Sequence, residues 1–213
     1  MKCDKSWMPL YAVTDRAWLG GRTLTEQVED ALAGGATCIQ LREKELDQAA
    51  FLAEAVELKA LCGRYGVPLI VNDAVEVAVR SGADGVHIGQ HDAAAAEVRR
   101  RIGPDMLLGV SAQTVEQAVK AERDGADYLG VGAVFSTGTK LDADDVSFET
   151  LKAICEAVSI PVVAIGGIKA ENIADLAGSG IDGVAVVSAI FAAPEIRSAA
   201  EVLRRTVRQE LGV

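Results

Sequence analysis

Short apolar runs alternate with longer amphipathic segments along the chain. Runs of four or five residues, rich in Val, Ile and Leu and bounded by turn residues, read as strands at 10–14, 38–41, 68–72, 85–88, 107–111, 128–131, 162–166 and 183–187. Between them, apolar positions recur at helical spacing over 24–33, 48–61, 93–102, 114–123, 148–158 and 172–177, with a last helix from about Glu195. A shorter helical segment begins near Ala74. One phrase recurs where a helix gives way to a strand: Gly35-Ala36-Thr37, Gly82-Ala83-Asp84, Gly125-Ala126-Asp127 and Gly180-Ile181-Asp182. Its glycine suits the left-handed residue that closes a helix, and its polar residue turns the chain into the next strand.

Strict alternation of strand and helix implies a parallel sheet, and eight units allow that sheet to close. The expected fold is therefore α/β, a single (β/α)8 TIM barrel spanning residues 1–213, with an open doubly wound sheet as the competing architecture. No linker rich in Pro, Gly or Ser divides the chain. The longest connections, 15–23 and 135–146, both follow strands, where the active-site loops of a barrel belong.

Half the residues are hydrophobic but only 4% are aromatic, so the interior must be aliphatic, as parallel strands covered by helices require. The formal net charge of −10 repels a phosphate backbone, which argues against nucleic acid as a partner. An anionic substrate would then depend on a few local cations and backbone N–H groups. Cys3, Cys38, Cys62 and Cys155 show no C-x-x-C spacing and read as structural thiols. No apolar run reaches the roughly 18 residues of a membrane span, so no membrane association and a cytoplasmic location are expected.

Chemistry in a barrel sits where strands end. Strand two ends in Gln40-Leu41-Arg42-Glu43-Lys44, and alternation sends Gln40, Arg42 and Lys44 to one face and Leu41 to the other. An Arg fork beside a Lys suits phosphate or pyrophosphate; the alternative is a surface ion pair with Glu43 or Glu45. Strand three ends in Asn72-Asp73, and Asp92 lies in the turn after strand four. Carboxylates rising from neighbouring strands about 5 Å apart suit a hard cation such as Mg²⁺, which takes one or two carboxylates and fills its shell with water and substrate oxygens. The alternative makes Asp73 and Asp92 helix N-caps. His87 and His91 have an H-x-x-x-H spacing that favours zinc only on a helix, whereas here it crosses from strand to turn; His87 reads as a hydrogen-bonded residue near the barrel interior.

Ser111 closes strand five, where it can touch substrate or cap the following helix. After strand six, Thr137, Gly138, Thr139 and Lys140 resemble an anion cradle without the Walker spacing; the alternative is a flexible solvated loop. Gly166-Gly167 and Val187-Ser188 stand after strands seven and eight, where barrels often bind phosphate, and 187–191 reads as a short extra helix; the alternative gives the glycines a role in close packing only. Two anion sites imply two phosphorylated substrates. Neither a positioned base for hydrolysis nor a desolvated Schiff-base Lys is evident, whereas a metal-assisted pyrophosphate leaving group needs neither.

In these motifs the chain resembles the thiamine phosphate synthase family: Gln40-Leu41-Arg42-x-Lys44, Asn72-Asp73, His87-x-Gly89-Gln90-x-Asp92, Gly109-Val110-Ser111-Ala112, Thr137-x-Thr139-Lys140, Ile165-Gly166-Gly167-Ile168 and Val187-Ser188-Ala189-Ile190. The likeness runs in order from Tyr11 to Phe191. It implies Mg²⁺ on Asp73 and Asp92, with a hydroxymethylpyrimidine diphosphate on Gln40, Arg42, Lys44, Asn72, Ser111 and Lys140, and Leu41 and Glu43 beside them. It also implies thiazole phosphate against Thr137, Gly138, Thr139, Gly167, Val187 and Ser188. Arg42, Lys44, Ser111 and Lys140 would assist departure of pyrophosphate, leaving a pyrimidine cation for the thiazole nitrogen to attack.

Two departures stand out. Residues 132–136 lack the family's more usual prolines, and Gln113 stands where many relatives carry His. The rivals are a thiazole tautomerase on the same scaffold, which would need a proton-transfer base, and a phosphate-ligand sensor without turnover. Oligomeric state is not legible in the sequence.

Overall fold

The structure, a computed structural model, describes residues 3–90, 92–136 and 146–213. Its strands are β1 (Leu10–Val13), β2 (Cys38–Leu41), β3 (Leu69–Asn72), β4 (Gly85–Ile88), β5 (Leu107–Ala112), β6 (Tyr128–Val131), β7 (Val162–Ile165) and β8 (Gly183–Val186). Each pairs in parallel with the next, and β1 pairs with β8 through Leu10↔Val184 and Tyr11↔Ala185, closing the sheet. An open doubly wound sheet would leave two edges and reverse its strand order partway; this sheet does neither.

Outside the strands lie α1 (Leu24–Ala33), α2 (Gln48–Tyr65), α3 (Val75–Ser81), α4 (Ala95–Ile102), α5 (Val115–Arg123), α6 (Phe148–Ala157), a short α7 (Ser188–Phe191) and α8 (Ile196–Leu211). Strand alternation divides the core into two layers. Ile39, Leu41, Val71, Leu108 and Ala164 face outward against helix residues such as Val28, Leu58, Ile154 and Leu203. Met8, Tyr11, Val13, Cys38, Ile70, Leu107, Tyr128, Val163 and Ala185 fill the barrel interior. Cys38 and Cys62 are buried free thiols, and burial pushes the Cys62 thiol up to about 12, so it stays protonated at neutral pH.

The recurring αβ phrase has a specific job. Asp84 accepts from the amide of Leu69 (2.8 Å), Asp127 from that of Leu108 (2.8 Å), Asp182 from that of Val162 (2.9 Å), and the Thr37 hydroxyl from that of Leu10 (2.9 Å). The backbone N–H of the same four residues donates back to the carbonyls of Leu69, Leu108, Val162 and Leu10. Each clasp ties a strand's entrance to the start of its neighbour and satisfies amides at the bottom of the sheet. Asp127 also takes the Arg99 guanidinium. Asp127→Ala should therefore take this acceptor from the Leu108 amide and deprive Arg99, which keeps the carbonyls of Gly103, Met106 and Gly125, of its carboxylate, lowering stability by about 2 kcal/mol, read as a reduced unfolding midpoint.

Several boundaries differ from the sequence pattern. α2 continues to Tyr65 because Gly66, at φ 67°, supplies the left-handed cap only there. The expected helix at 172–177 is a single 3-10 turn, Ile173–Leu176, since Gly178 and Gly180 both take positive φ and stop it. α3 and α4 start at Val75 and Ala95 with no side-chain cap, so neither Asp73 nor Asp92 serves as an N-cap.

Candidate active site

A cavity of about 340 Å³ opens at the C-terminal ends of the strands. Gln40 and Arg42 from β2 and its loop, Asn72 from β3, Ser111 from β5, Gly167 after β7 and Val187-Ser188 after β8 all line it. Closure of the barrel thus brings together residues that the chain spreads over about 150 positions.

Arg42 is held by a 3.0 Å ion pair with Asp15, and its backbone N–H donates to the Thr14 hydroxyl at 3.0 Å, so the β1 loop steadies the β2 end. The alternation that grouped Lys44 with Gln40 and Arg42 ends at Leu41. Beyond it the Glu43 carboxylate accepts from the amides of Lys44, Glu45 and Leu46 and bends the chain away; Lys44 is exposed and outside the cavity wall. Burial raises the Glu43 carboxyl, but the Glu45 amide and the Arg16 guanidinium outweigh it and leave that carboxyl lowered. The ion-pair alternative took the wrong partners: Arg42 pairs with Asp15, and Glu43 with Arg16. Leu41 is buried in the outer core, so any contact it makes with a ligand is through its backbone.

Asp73 and Asp92 are exposed, and each is hydrogen-bonded to a residue of the cavity wall. Asn72 donates to Asp73 at 2.5 Å, and the Gly89 amide donates to Asp92 at 2.7 Å. Asp73 adopts φ 59°, with its amide bonded to the His87 carbonyl at 2.8 Å, a left-handed turn at the strand exit. No group of three or more metal-ligating His, Cys, Asp or Glu gathers among the described residues. Neither carboxylate lines the cavity itself, but two exposed carboxylates beside its wall fit Mg²⁺, which takes one or two carboxylates and draws the rest of its shell from other oxygens and water.

The loops after β6 and β7 are zipped by Val134 N–H to Ile165 O (3.0 Å) and Phe135 N–H to Gly166 O (3.1 Å). Glycines permit this approach, because a Cβ on Gly166 would lie 2.5 Å from the Ala133 Cβ and one on Gly167 2.7 Å from the Ser136 carbonyl. Asn172 secures the second loop, donating to Gly167 O at 3.0 Å and accepting from the Lys169 amide at 2.8 Å. Thr137, Gly138, Thr139, Lys140 and His91 lie outside the described residues.

Several cavity residues had no role assigned from the sequence, although Gln90 stands in one of the quoted motifs. Lys169 lines the mouth, and Gln90 lines the wall while donating to the Ser111 carbonyl at 2.6 Å. At the floor, Gln40 donates to the Tyr11 hydroxyl (2.9 Å), which lies 2.7 Å from the Tyr128 hydroxyl. Tyr128 meets His87 Nδ1 at 3.1 Å, and His87 Nε2 meets the Ser111 hydroxyl at 3.0 Å. His87 is the buried, hydrogen-bonded interior residue that the sequence suggested. Burial pushes both phenols well above their ordinary range, so they remain protonated. The available signal was Gly109 and Gly130 inside strands: a Cβ on Gly109 would strike both Tyr128 and His87, and one on Gly130 would lie 3.1 Å from His87.

Comparison with known proteins adds a family to this geometry. Residues 10–190 match the family described as thiamine monophosphate synthase. A thiamine-phosphate synthase of Ruminiclostridium cellulolyticum is 54% identical over 194 residues, covering 91% of this chain and 92% of the relative. One from Clostridium tetani is 50% identical, covering 91% and 93%. The solved structure of thiamine phosphate pyrophosphorylase from Pyrococcus furiosus superposes with a TM-score of 0.90 at 39% identity, over 98% of this chain and 99% of that one.

Proposed function

Since the chain belongs to the thiamine monophosphate synthase family, and is thus a transferase, we propose that it joins a hydroxymethylpyrimidine, delivered as its diphosphate, to a thiazole phosphate with release of pyrophosphate. What carries this reading is the meeting in one cavity of Arg42, Asn72 and Ser111 with the Gly167 and Ser188 loops. One side is polar and cationic beside two carboxylates; the other is built of glycine and backbone, as a phosphate monoester site requires.

The reaction breaks the bond between the pyrimidine's methylene carbon and a diphosphate oxygen, and the electron pair leaves with pyrophosphate. The thiazole nitrogen then donates its lone pair to that carbon, giving thiamine phosphate. Arg42, preset by Asp15, meets negative charge that grows on the departing oxygens, and Ser111 adds a hydroxyl contact. Asp73 and Asp92 would hold Mg²⁺, which supplies further neutralisation of the diphosphate when bound. Lys140 would serve the same anion, Lys44 would reach it only by a movement of its loop, and Leu41 and Glu43 contribute by shaping that loop. Thr137, Gly138 and Thr139 would complete the acceptor site with Gly167, Val187 and Ser188. Losing one contact to the leaving group should cost about 3 kcal/mol in the barrier.

A tautomerase would need a proton-transfer base near Gln113, and an amide cannot act as one. The test follows from the acceptor site: inorganic phosphate is expected to compete with thiazole phosphate in initial-rate measurements. Inhibition that does not weaken as thiazole phosphate rises would place that substrate's phosphate elsewhere.

A further inference from the structure

The Gln40–Tyr11–Tyr128–His87–Ser111 chain crosses the barrel floor from β2 through β1, β6 and β4 to β5, with every link between 2.7 and 3.1 Å. Such a chain can run in either direction, and the direction decides whether Ser111 offers the cavity a proton or a lone pair. Its polarity is set at one end. An amide nitrogen only donates, so the Tyr11 oxygen accepts from Gln40 and must place its own proton elsewhere. The neighbouring acceptors are the Tyr128 oxygen at 2.7 Å and the Cys38 sulfur, and a thiol is the weaker acceptor. Tyr128, having accepted from Tyr11, turns its proton to His87 Nδ1, which must then be bare. Neutral His87 carries its proton on Nε2 and donates to Ser111 Oγ, whose own hydrogen is left to point into the cavity.

We propose that Gln40, Tyr11, Tyr128 and His87 form a one-way hydrogen-bond relay that keeps Ser111 an obligate donor toward the bound substrate anion, which makes the two tyrosines and His87 positioning residues. The relay preorganises the hydroxyl: no proton has to rearrange as charge develops on the leaving oxygens. Gly109 is part of the device, because the Tyr128 hydroxyl and the imidazole lie where its Cβ would be. The role of Ser111 toward an anion rests on the function proposed above, whereas the direction of the relay rests on the Gln40 amide nitrogen facing Tyr11 and on oxygen accepting in preference to sulfur.

That difference allows separate tests. The chain has two histidines, so in ¹⁵N-labelled native protein the ring nitrogens of His87 can be assigned by comparison with His91→Gln. A long-range ¹H–¹⁵N spectrum of the neutral imidazole is expected to show His87 protonated at Nε2. Protonation at Nδ1, or a mixture of both forms, overturns the relay whatever the enzyme's activity.

Kinetics give the second readout. Tyr128→Phe removes the donor to Nδ1, and should produce a mixed tautomer and a fall in kcat of about 10- to 100-fold, while KM for thiazole phosphate changes by no more than about twofold. Tyr11→Phe cuts Tyr128 off from Gln40, the end that sets the direction, so His87 should also lose its single tautomer, with kcat falling about two- to fivefold because Tyr128 keeps its contact with Nδ1. Unchanged tautomer and kcat in folded Tyr128→Phe would overturn the positioning role. If that variant does not fold, the tautomer of the native protein decides. Failure to form thiamine phosphate at all would instead remove the functional reading and leave the measured tautomer intact.

Discussion

Replacing both Asp73 and Asp92 by Asn is expected to lower kcat/KM for the pyrimidine diphosphate by about 1,000-fold, on the order of 4 kcal/mol, and to flatten the dependence of rate on magnesium concentration. The variant removes charge and little else. Asn is among the few residues that accept the left-handed conformation Asp73 adopts at φ 59°, and its amide oxygen can still take the Gly89 N–H at position 92. Initial rates across a magnesium titration check this, with thermal unfolding as the control for folding. A double variant that keeps both its rate and its magnesium response would remove the two carboxylates from the metal site.

Gly167→Ala should act on the other substrate. Position 167 has φ +64°, and an added Cβ would press on the Ser136 carbonyl at 2.7 Å and the Phe135 Cβ at 2.8 Å. Either the left-handed turn gives way or the loops after β6 and β7 part, and both outcomes displace the wall assigned to thiazole phosphate. KM for thiazole phosphate is expected to rise about 30-fold, roughly 2 kcal/mol, with a much smaller change in KM for the diphosphate. Gly63→Ala is the matched control: nothing lies within 4 Å of its Cβ, it sits inside α2, and the change should stabilise the protein by about 0.5–1 kcal/mol. Equal effects of Gly167→Ala on the two KM values would show that the loop is not specific to the acceptor.

Much of this site was legible because a barrel converts strand order into a ring. Once eight apolar runs are counted, the residues that close them, Gln40, Asn72, Ser111 and Val187 among them, must share one mouth. The short extra helix expected over 187–191 is present as Ser188–Phe191. What the sequence hid depends on side chains acting through one another. Strand periodicity extended to Lys44 because nothing in the sequence shows that Glu43 would fold back onto three amides and end the strand geometry. Asp73 and Asp92 invited an N-cap reading because Asp favours that position, yet Asp73 sits in a left-handed turn and Asp92 is bonded to Gly89.

Nothing in the sequence singles out Tyr11 and Tyr128, which lie in the first and sixth strands. Only closure of the sheet brings two hydroxyls 117 positions apart into contact across the barrel. The glycines opposite them, Gly109 and Gly130, were the visible trace: glycine inside a strand marks a place where something else must come close. Asp84, Asp127 and Asp182 were seen as turn residues, but their pairing with strand-entry amides is a long-range fact that the repeat alone does not contain.

The most direct measurement mixes the purified protein with hydroxymethylpyrimidine diphosphate and thiazole phosphate, and follows thiamine phosphate and pyrophosphate together with Mg²⁺ and after its chelation. The expected result is one-to-one formation of the two products with Mg²⁺ and near-complete loss on chelation, restored by adding the metal back. Turnover unaffected by chelation would contradict the metal-assisted departure, and no thiamine phosphate under either condition would contradict the synthase itself.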